Sequence, residues 1–303
     1  MGEGGQGFGR KSGLTTMTFD KFLAQAWVDH GDRALEVSQR LEQGYAMIDS
    51  PAQLAPFARI LAHVDGEHLA QWAEGAARLE RLRAHAQWRD DGDGAIVVRR
   101  LINALVLCGG GGLAPSLTAE DRAHAHAVAA AALVAQGERT AAIGHFRGTL
   151  AAAATGLPQG DPAIRALAIT SNNLAAALAE VPLRSAGETA AMLEAAQTTR
   201  EHWARAGGWL ETERAEYMLA KCHLAAGDAK SALVHANECA AICAANDADA
   251  FERFFADSMA ALAYRALADA PQFVRAKTAA LAHYDALTTD QKSSCESALK
   301  LIA

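Results

Sequence analysis

The sequence is poor in the residues that favour β-structure. Aromatic residues make up 6% of the chain, and only seven of the 303 residues are proline. Few segments are rich in Val, Ile and Thr, which are enriched in strands. Much of the 51% hydrophobic content is alanine, the best helix former, whose small side chain also lets helices approach one another closely. We therefore predict an all-α protein.

The sequence also lacks an excess of positive charge, an even number of cysteines and a long apolar run. A net charge of −7 argues against nucleic acid as the main partner, since phosphate binding needs clustered cations. Five cysteines, an odd number, suggest a reducing environment. Residues 1–16 are glycine-rich and polar, unlike a signal peptide, and the best apolar run, 95–108, is interrupted by Arg99 and Arg100. We expect a cytoplasmic protein with no membrane partner.

One stretch, 216–243, shows how the helices are paired. It predicts two amphipathic helices joined by a tight turn at Gly227 and Asp228. Glycine suits a left-handed residue at the end of the first helix, and the aspartate can accept hydrogen bonds from the free N–H groups that begin the second. Small and apolar residues such as Ala220 and Ala232 lie on the facing sides of both helices. The stretch is predicted to form a helical hairpin.

Glycines and Gly-Asp turns recur at intervals that suit a repeated hairpin. Gly31 and Gly66 are 35 residues apart, Gly187 and Gly227 are 40 apart, and Gly227 and Asp269 are 42 apart. A helix–turn–helix unit recurring at such intervals is typical of an α-solenoid.

The Leu-Ala, Gly-Asp and Ala-Leu spacing in 219–233 resembles the tetratricopeptide repeat (TPR) family. The stretch Ser171-Asn-Asn-Leu-Ala175, followed by 194–202, is similar to the longer variants found in kinesin light chains. The resemblance covers 120–287 best, 18–48 less well and 50–115 poorly. It implies a right-handed α-solenoid of antiparallel helix pairs, in which the first helix of each pair lines a concave groove for a peptide or a partner helix.

The chain is predicted to divide into four parts. They are a flexible tail over 1–16, an N-terminal helical region of divergent repeats over 17–108, a glycine-rich connector over 109–117, and a TPR-like array with a C-terminal capping helix over 118–303. Within the N-terminal region, Gly66 predicts a turn between a helix that ends at Val64 and a long helix that ends near Trp88.

The family register places one stripe of residues on the concave face. That stripe comprises Asn172, Arg214, Tyr217, Lys221, Phe255, Ser258 and Arg265. Its three cations could receive a carboxylate or an acidic segment through charge-assisted hydrogen bonds, and Asn172 could bind a peptide backbone. The alternative interpretation is that these are ordinary solvated helix residues, with Tyr217 and Phe255 packing between repeats.

Metal-binding and catalytic patterns have little support. His235, Cys239 and Cys243 are spaced i, i+4 and i+8 and carry zinc-binding atoms, but the repeat register puts Cys239 where a small buried residue belongs. We predict packing here, with no metal, no cofactor and no catalytic site. His124 and His126 are two residues apart on a helix, so they face different sides and are expected to be surface residues.

The leading hypothesis is a non-enzymatic scaffold or adaptor that binds a protein or peptide in the concave groove, for example a partner that is acidic or has a free carboxylate. The sequence leaves oligomeric state open. An alternative is a regulatory module that senses a small ligand or a signal peptide, because longer repeats of this kind also resemble ligand-binding domains of bacterial signalling proteins. The segment Gly109–Pro115 would then be a hinge. A zinc-bound helical protein or enzyme built on His235, Cys239 and Cys243 is the third hypothesis.

Overall fold

A computed structural model describes residues 17–154 and 156–303. The predicted tail, 1–16, lies outside these ranges. The described residues form fourteen α-helices and no β-strand, which confirms the all-α prediction. Among these helices, none combines the length and the apolar character that crossing a membrane requires.

The helices follow one another with short connections. Their bounds are α1 Phe19–Asp29, α2 Ala34–Gly44, α3 Leu54–Ala62, α4 Trp72–Arg81, α5 Asp93–Cys108, α6 Ala119–Ala135, α7 Arg139–Ala153, α8 Pro162–Ala179, α9 Ala186–Ala206, α10 Trp209–Ala225, α11 Ala229–Ala245, α12 Ala250–Ala266, α13 Ala270–Asp285 and α14 Thr289–Ile302. Short 3₁₀ turns cover Tyr45–Met47, Pro51–Gln53 and Leu82–Ala84, and a π-helix covers His63–His68.

From α6 onward the helices pack as consecutive pairs. Helix α6 packs on α7, α8 on α9, α10 on α11 and α12 on α13. The first helices of successive pairs also contact one another, so that α6, α8, α10, α12 and finally α14 form one layer. Because short turns make consecutive packed helices antiparallel, this arrangement confirms the predicted TPR-like solenoid of antiparallel helix pairs.

The turn between α10 and α11 has the predicted geometry. Gly227 has φ +81°, and the Asp228 side chain accepts a hydrogen bond of 3.1 Å from the backbone N–H of Ser231. Ala220 and Ala232 are fully buried, as the hairpin pattern requires. Local sequence is therefore sufficient to define this unit.

The N-terminal region departs from the predicted helix boundaries. The expected turn at Gly66 is wrong, because the chain continues past Val64 in a π-helix, and α4 ends at Arg81 rather than near Trp88. Gly66 is packed so closely that an added Cβ would lie 2.9 Å from Cδ2 of Leu105. A contact with α5, far along the chain, therefore fixes the backbone here.

The predicted connector, 109–117, contains no helix and joins α5 to α6. The two helices nevertheless pack together, with Leu107 against Ala125 and Ala129. The Nε atom of Arg100 also donates to Oδ1 of Asp121 at 2.6 Å. The helix layers thus continue across the connector, whose role as a hinge stays a prediction.

Candidate functional site

A cavity of about 1080 Å³ lies among the helices of the N-terminal half. Its walls come from α3, α5 and α6, with contributions from α1, the π-helix and the start of α8. Most of the wall is apolar, and it includes Leu54, Ile96, Leu101, Leu105 and Val128. Such a lining favours a ligand that buries apolar surface.

Three arginines line the cavity, Arg59, Arg89 and Arg100, and they differ in their partners. Arg100 is 9% exposed and is ion-paired with Asp121. Arg59 is exposed, and within the described part of the chain no carboxylate oxygen lies within 4.0 Å of it. A guanidinium without an internal partner can bind a ligand carboxylate without first giving up an ion pair. Arg89 is exposed too, but its Nη1 atom donates to the backbone carbonyls of Ala86 and Trp88. Among the described residues, Arg59 is therefore the cavity arginine whose guanidinium has no partner, and it is the cation that this cavity offers to a ligand.

His124 is a second polar group in the wall. The prediction that it is a surface residue is wrong: its side chain is half-buried, and its Nδ1 atom is buried with no hydrogen-bond partner among the described residues. Burial, together with the nearby charges of Arg100 and Arg59, lowers the pKa of His124 to about 4. The imidazole is therefore neutral at physiological pH, and its buried nitrogen can donate or accept a hydrogen bond.

The second histidine of this pair is also not an ordinary surface residue. His126 is half-buried, and its Nδ1 atom lies 3.0 Å from Nδ1 of His145 on α7. The pair therefore connects the two helices of one hairpin, which is a packing role rather than a ligand-binding one.

The cations of the predicted concave stripe are mostly paired. Arg214 on α10 is ion-paired with Glu252 on α12, with Nε 3.4 Å from Oε2. Nζ of Lys221 lies 2.6 Å from Oε1 of Glu180, at the end of α8. Arg265 is exposed and lies 5.8 Å from the ring centroid of Phe273, with no carboxylate in reach among the described residues. Among the described residues, Arg265 is thus the one of these three cations that has no carboxylate partner.

The uncharged residues of the stripe lie mainly in contacts between pairs. Tyr217 and Phe255 make an edge-to-face contact, with ring centroids 5.7 Å apart, as in the packing interpretation. Ser258 is 2% exposed because α12 turns its side chain towards the core. In this structure it therefore cannot contact a ligand in the groove. Asn172 is half-buried on α8. The part of the stripe around α10 and α12 is brought together, but chiefly by internal contacts.

The three zinc-candidate residues have other partners. Nδ1 of His235 lies 2.7 Å from Oε2 of Glu216, and Sγ of the fully buried Cys239 lies 2.7 Å from Oε1 of Glu213. In the described ranges, the group whose metal-binding atoms converge is a different one, His30, His63 and His68. Sequence reasoning missed this group, as it missed Arg59 and His124 as cavity residues.

Comparison with known proteins gives little beyond the fold. No family model and no curated protein matches the chain. One similar solved structure is a crystal structure from Podosopora anserina described as a kinesin light chain with nearly identical TPR-like repeats. It has 16% sequence identity and a TM-score of 0.46, and the match covers 72% of this chain and 96% of that one. The evidence for function therefore lies in the site itself.

Proposed function

We propose that the chain is a non-enzymatic binding module that holds a short peptide segment of a partner protein in its N-terminal cavity. The observation that carries this proposal is the cavity, with its apolar walls and with Arg59, whose guanidinium has no partner among the described residues. Its volume of about 1080 Å³ exceeds the usual range for small-molecule pockets, roughly 300–1,000 Å³. Such a space suits several apolar side chains of a peptide.

The charge of the cavity indicates the chemistry of the segment. Arg59 would bind a carboxylate, either a C-terminus or an acidic side chain, while the buried Nδ1 of His124 would hydrogen-bond a peptide N–H or C=O. In the predicted stripe, Arg214 and Lys221 would have to exchange Glu252 and Glu180 for the ligand. We therefore place the carboxylate at Arg59, with Arg265 as the alternative contact.

A synthetic array of octapeptides tests this proposal, with every peptide present with a free and with an amidated C-terminus. The purified chain should bind a subset rich in apolar residues, and Arg59→Gln should weaken that binding about tenfold or more, since a hydrogen bond to a charged group contributes about 1.5–3 kcal/mol. Lys230→Gln changes an exposed cation on α11 and serves as the matched control.

Three outcomes are informative. Loss of binding in Arg59→Gln alone supports the cavity, and loss in Arg265→Gln alone moves the site to the C-terminal groove. No selective binding of any peptide to the wild type would overturn the peptide proposal.

A small-molecule sensor is the second candidate function. The buried, unpartnered Nδ1 of His124 within an apolar wall favours it, because such a group fits a ligand with one well-placed polar atom. Native mass spectrometry of the purified protein would then show a small bound molecule that Val128→Trp, which fills the cavity from α6, displaces. If that variant keeps both its fold and the bound mass, the sensor hypothesis is wrong.

A further inference from the structure

Three imidazole rings form a triangle beside the cavity. His30 follows the end of α1, and His63 and His68 are the two ends of the π-helix. The ring centroids of His63 lie 4.9 Å from those of both His30 and His68, and the centroids of His30 and His68 are 5.0 Å apart. One ligand nitrogen from each ring lies within 4.8 Å of the other two. Three nitrogens therefore converge on one small volume.

A hydrogen bond orients the ring of His30 through its opposite nitrogen, and a carboxylate lies beside the opposite nitrogen of His63. Nδ1 of His30 lies 2.6 Å from the backbone carbonyl oxygen of Trp27, and Nδ1 of His63 lies 3.0 Å from Oε1 of Glu67. A ring that donates through Nδ1 presents Nε2 with a free lone pair. Metal-binding histidines typically donate their second N–H to a carbonyl or carboxylate in this way.

The distance between two of the nitrogens also suits a metal ion. Nε2 of His68 lies 3.2 Å from Nε2 of His63. Two nitrogens at 2.0–2.1 Å from a tetrahedral zinc ion lie about 3.3 Å apart. The ordinary alternative is a hydrogen bond between two neutral rings. That hydrogen bond accounts for the contact between His63 and His68, but it does not account for the position of His30 beside both of them.

The π-helix is what brings His63 and His68 to the same side. In an α-helix, residues five apart are rotated by about 140° around the axis and do not meet. Here the N–H of Leu69 bonds to the carbonyl of Val64 at 3.1 Å, the i to i+5 pattern of a wider turn. π-turns are rare and frequently occur at functional sites.

A buried ion pair holds this turn in place. Asp65 is fully buried, and its Oδ2 atom accepts from Nη1 of Arg78 at 2.7 Å while its Oδ1 atom accepts from Oγ of Ser38 at 2.8 Å. Helices α2 and α4 thus fix the segment between the two histidines. The geometry of the imidazoles is built into the N-terminal core, which is the preorganisation that a binding site needs.

We propose that His30, His63 and His68 bind a zinc ion through their Nε2 atoms, with a fourth coordination position left to water. The site goes beyond peptide binding, since neither Arg59 nor a peptide takes part in it. Trp27, His63 and Glu67 also line the cavity, so the ion lies at the cavity wall. Imidazole nitrogen suits Zn²⁺ among the common ions, and three protein ligands with one open position is a frequent zinc arrangement.

The test is zinc binding by the full chain in the absence of any peptide, after treatment with a chelator. Competition with a chromophoric chelator should show one equivalent of bound Zn²⁺, and His68→Asn should weaken it by about 100-fold or more. His68 is exposed, so this variant should keep the fold, which circular dichroism checks. His126→Asn, in the half-buried pair with His145, is the control for loss of a histidine elsewhere.

Two further measurements separate this site from adventitious binding. Glu67→Gln should weaken zinc binding by about 10–100-fold through the orientation of His63, while Glu138→Gln, at an exposed carboxylate, should leave it unchanged. Co²⁺ in place of Zn²⁺ should give the visible absorption of a tetrahedral site without thiolate charge transfer, which excludes the cysteines. Absence of stoichiometric binding, or equal affinity in His68→Asn, would overturn the proposal.

Discussion

Glu213 on α10 gives the protein a predictable dependence of stability on pH. Its side chain is buried, at 1% exposure, and Oε1 accepts from Sγ of Cys239 at 2.7 Å. Its Oε2 atom is buried with no partner in the described ranges. Burial raises the pKa of Glu213 from 4.5 to about 7; the Cys239 hydrogen bond opposes this shift and the charge of Glu252 adds to it.

The sign and size of the effect follow from proton linkage. Since the folded state binds this proton more tightly than the unfolded state, the contribution of Glu213 to stability is complete below pH 4.5 and is lost as pH rises through about 7. A tenfold difference in proton affinity corresponds to about 1.4 kcal/mol, so the full loss is about 3 kcal/mol. The free energy of unfolding should therefore fall over this range because of one carboxyl group.

Urea denaturation of the wild type and of Glu213→Gln, between pH 4.5 and 8.5, measures this loss. The amide keeps the acceptor for Cys239 but cannot ionise, so the variant should gain on the wild type by up to about 3 kcal/mol as pH rises. Titrating groups that do not interact with Glu213 contribute equally to both proteins and cancel in the difference. Glu238→Gln, at an exposed residue of α11, should run parallel to the wild type. Parallel curves for Glu213→Gln as well would refute the reasoning.

Three substitutions test the packing in other places, each by urea or thermal denaturation. Asp65→Ala removes the fully buried partner of Arg78, which keeps only the partly exposed Glu42 at 2.8 Å from its Nε, and should cost up to about 3 kcal/mol, so a loss below about 1 kcal/mol would contradict the role of this pair. Arg184→Ala removes a guanidinium whose Nη1 lies 2.8–2.9 Å from three carbonyl oxygens at the end of α8, and should cost about 2 kcal/mol and speed amide exchange there. Gly44→Ala places a Cβ 2.3 Å from Cε2 of Phe57 and should cost about 1–3 kcal/mol; an unchanged melting temperature would show that the ring moves freely.

The hairpins of the array are predictable because their determinants are local. A glycine in the left-handed region, as at Gly227, and a capping aspartate, as at Asp228, lie next to each other in the sequence. Small residues at helical spacing then define the buried face of each helix. None of these signals depends on the rest of the chain, which explains why the pairs from α6 to α13 follow the predicted pattern.

Two cations of the concave stripe pair with carboxylates that lie about one repeat interval away along the chain. Lys221 and Glu180 are 41 residues apart, and Arg214 and Glu252 are 38 apart. Both separations are close to the 40-residue recurrence of the turns, so both pairs join the first helices of successive units or their ends. A repeat interval thus predicts ion pairs between units as well as hairpins.

The His30–His63–His68 triangle and the cavity lie where local signals are insufficient. Helical periodicity separates His63 from His68, and they meet only because Asp65 and Gly66 are fixed by contacts with Arg78 and Leu105 from other helices.

His63, His68 and much of the cavity wall belong to the stretch 50–115, in which the resemblance to regular repeats is poorest. Helices α3 and α4 have 9 and 10 residues, against 15 to 21 in the paired helices α6 to α13, so they cannot fill the layer that full-length pairs would fill. We infer that the cavity is the space which these two short helices leave unfilled. Departure from the repeat pattern thus creates both candidate sites, as expected where function overrides local sequence preference.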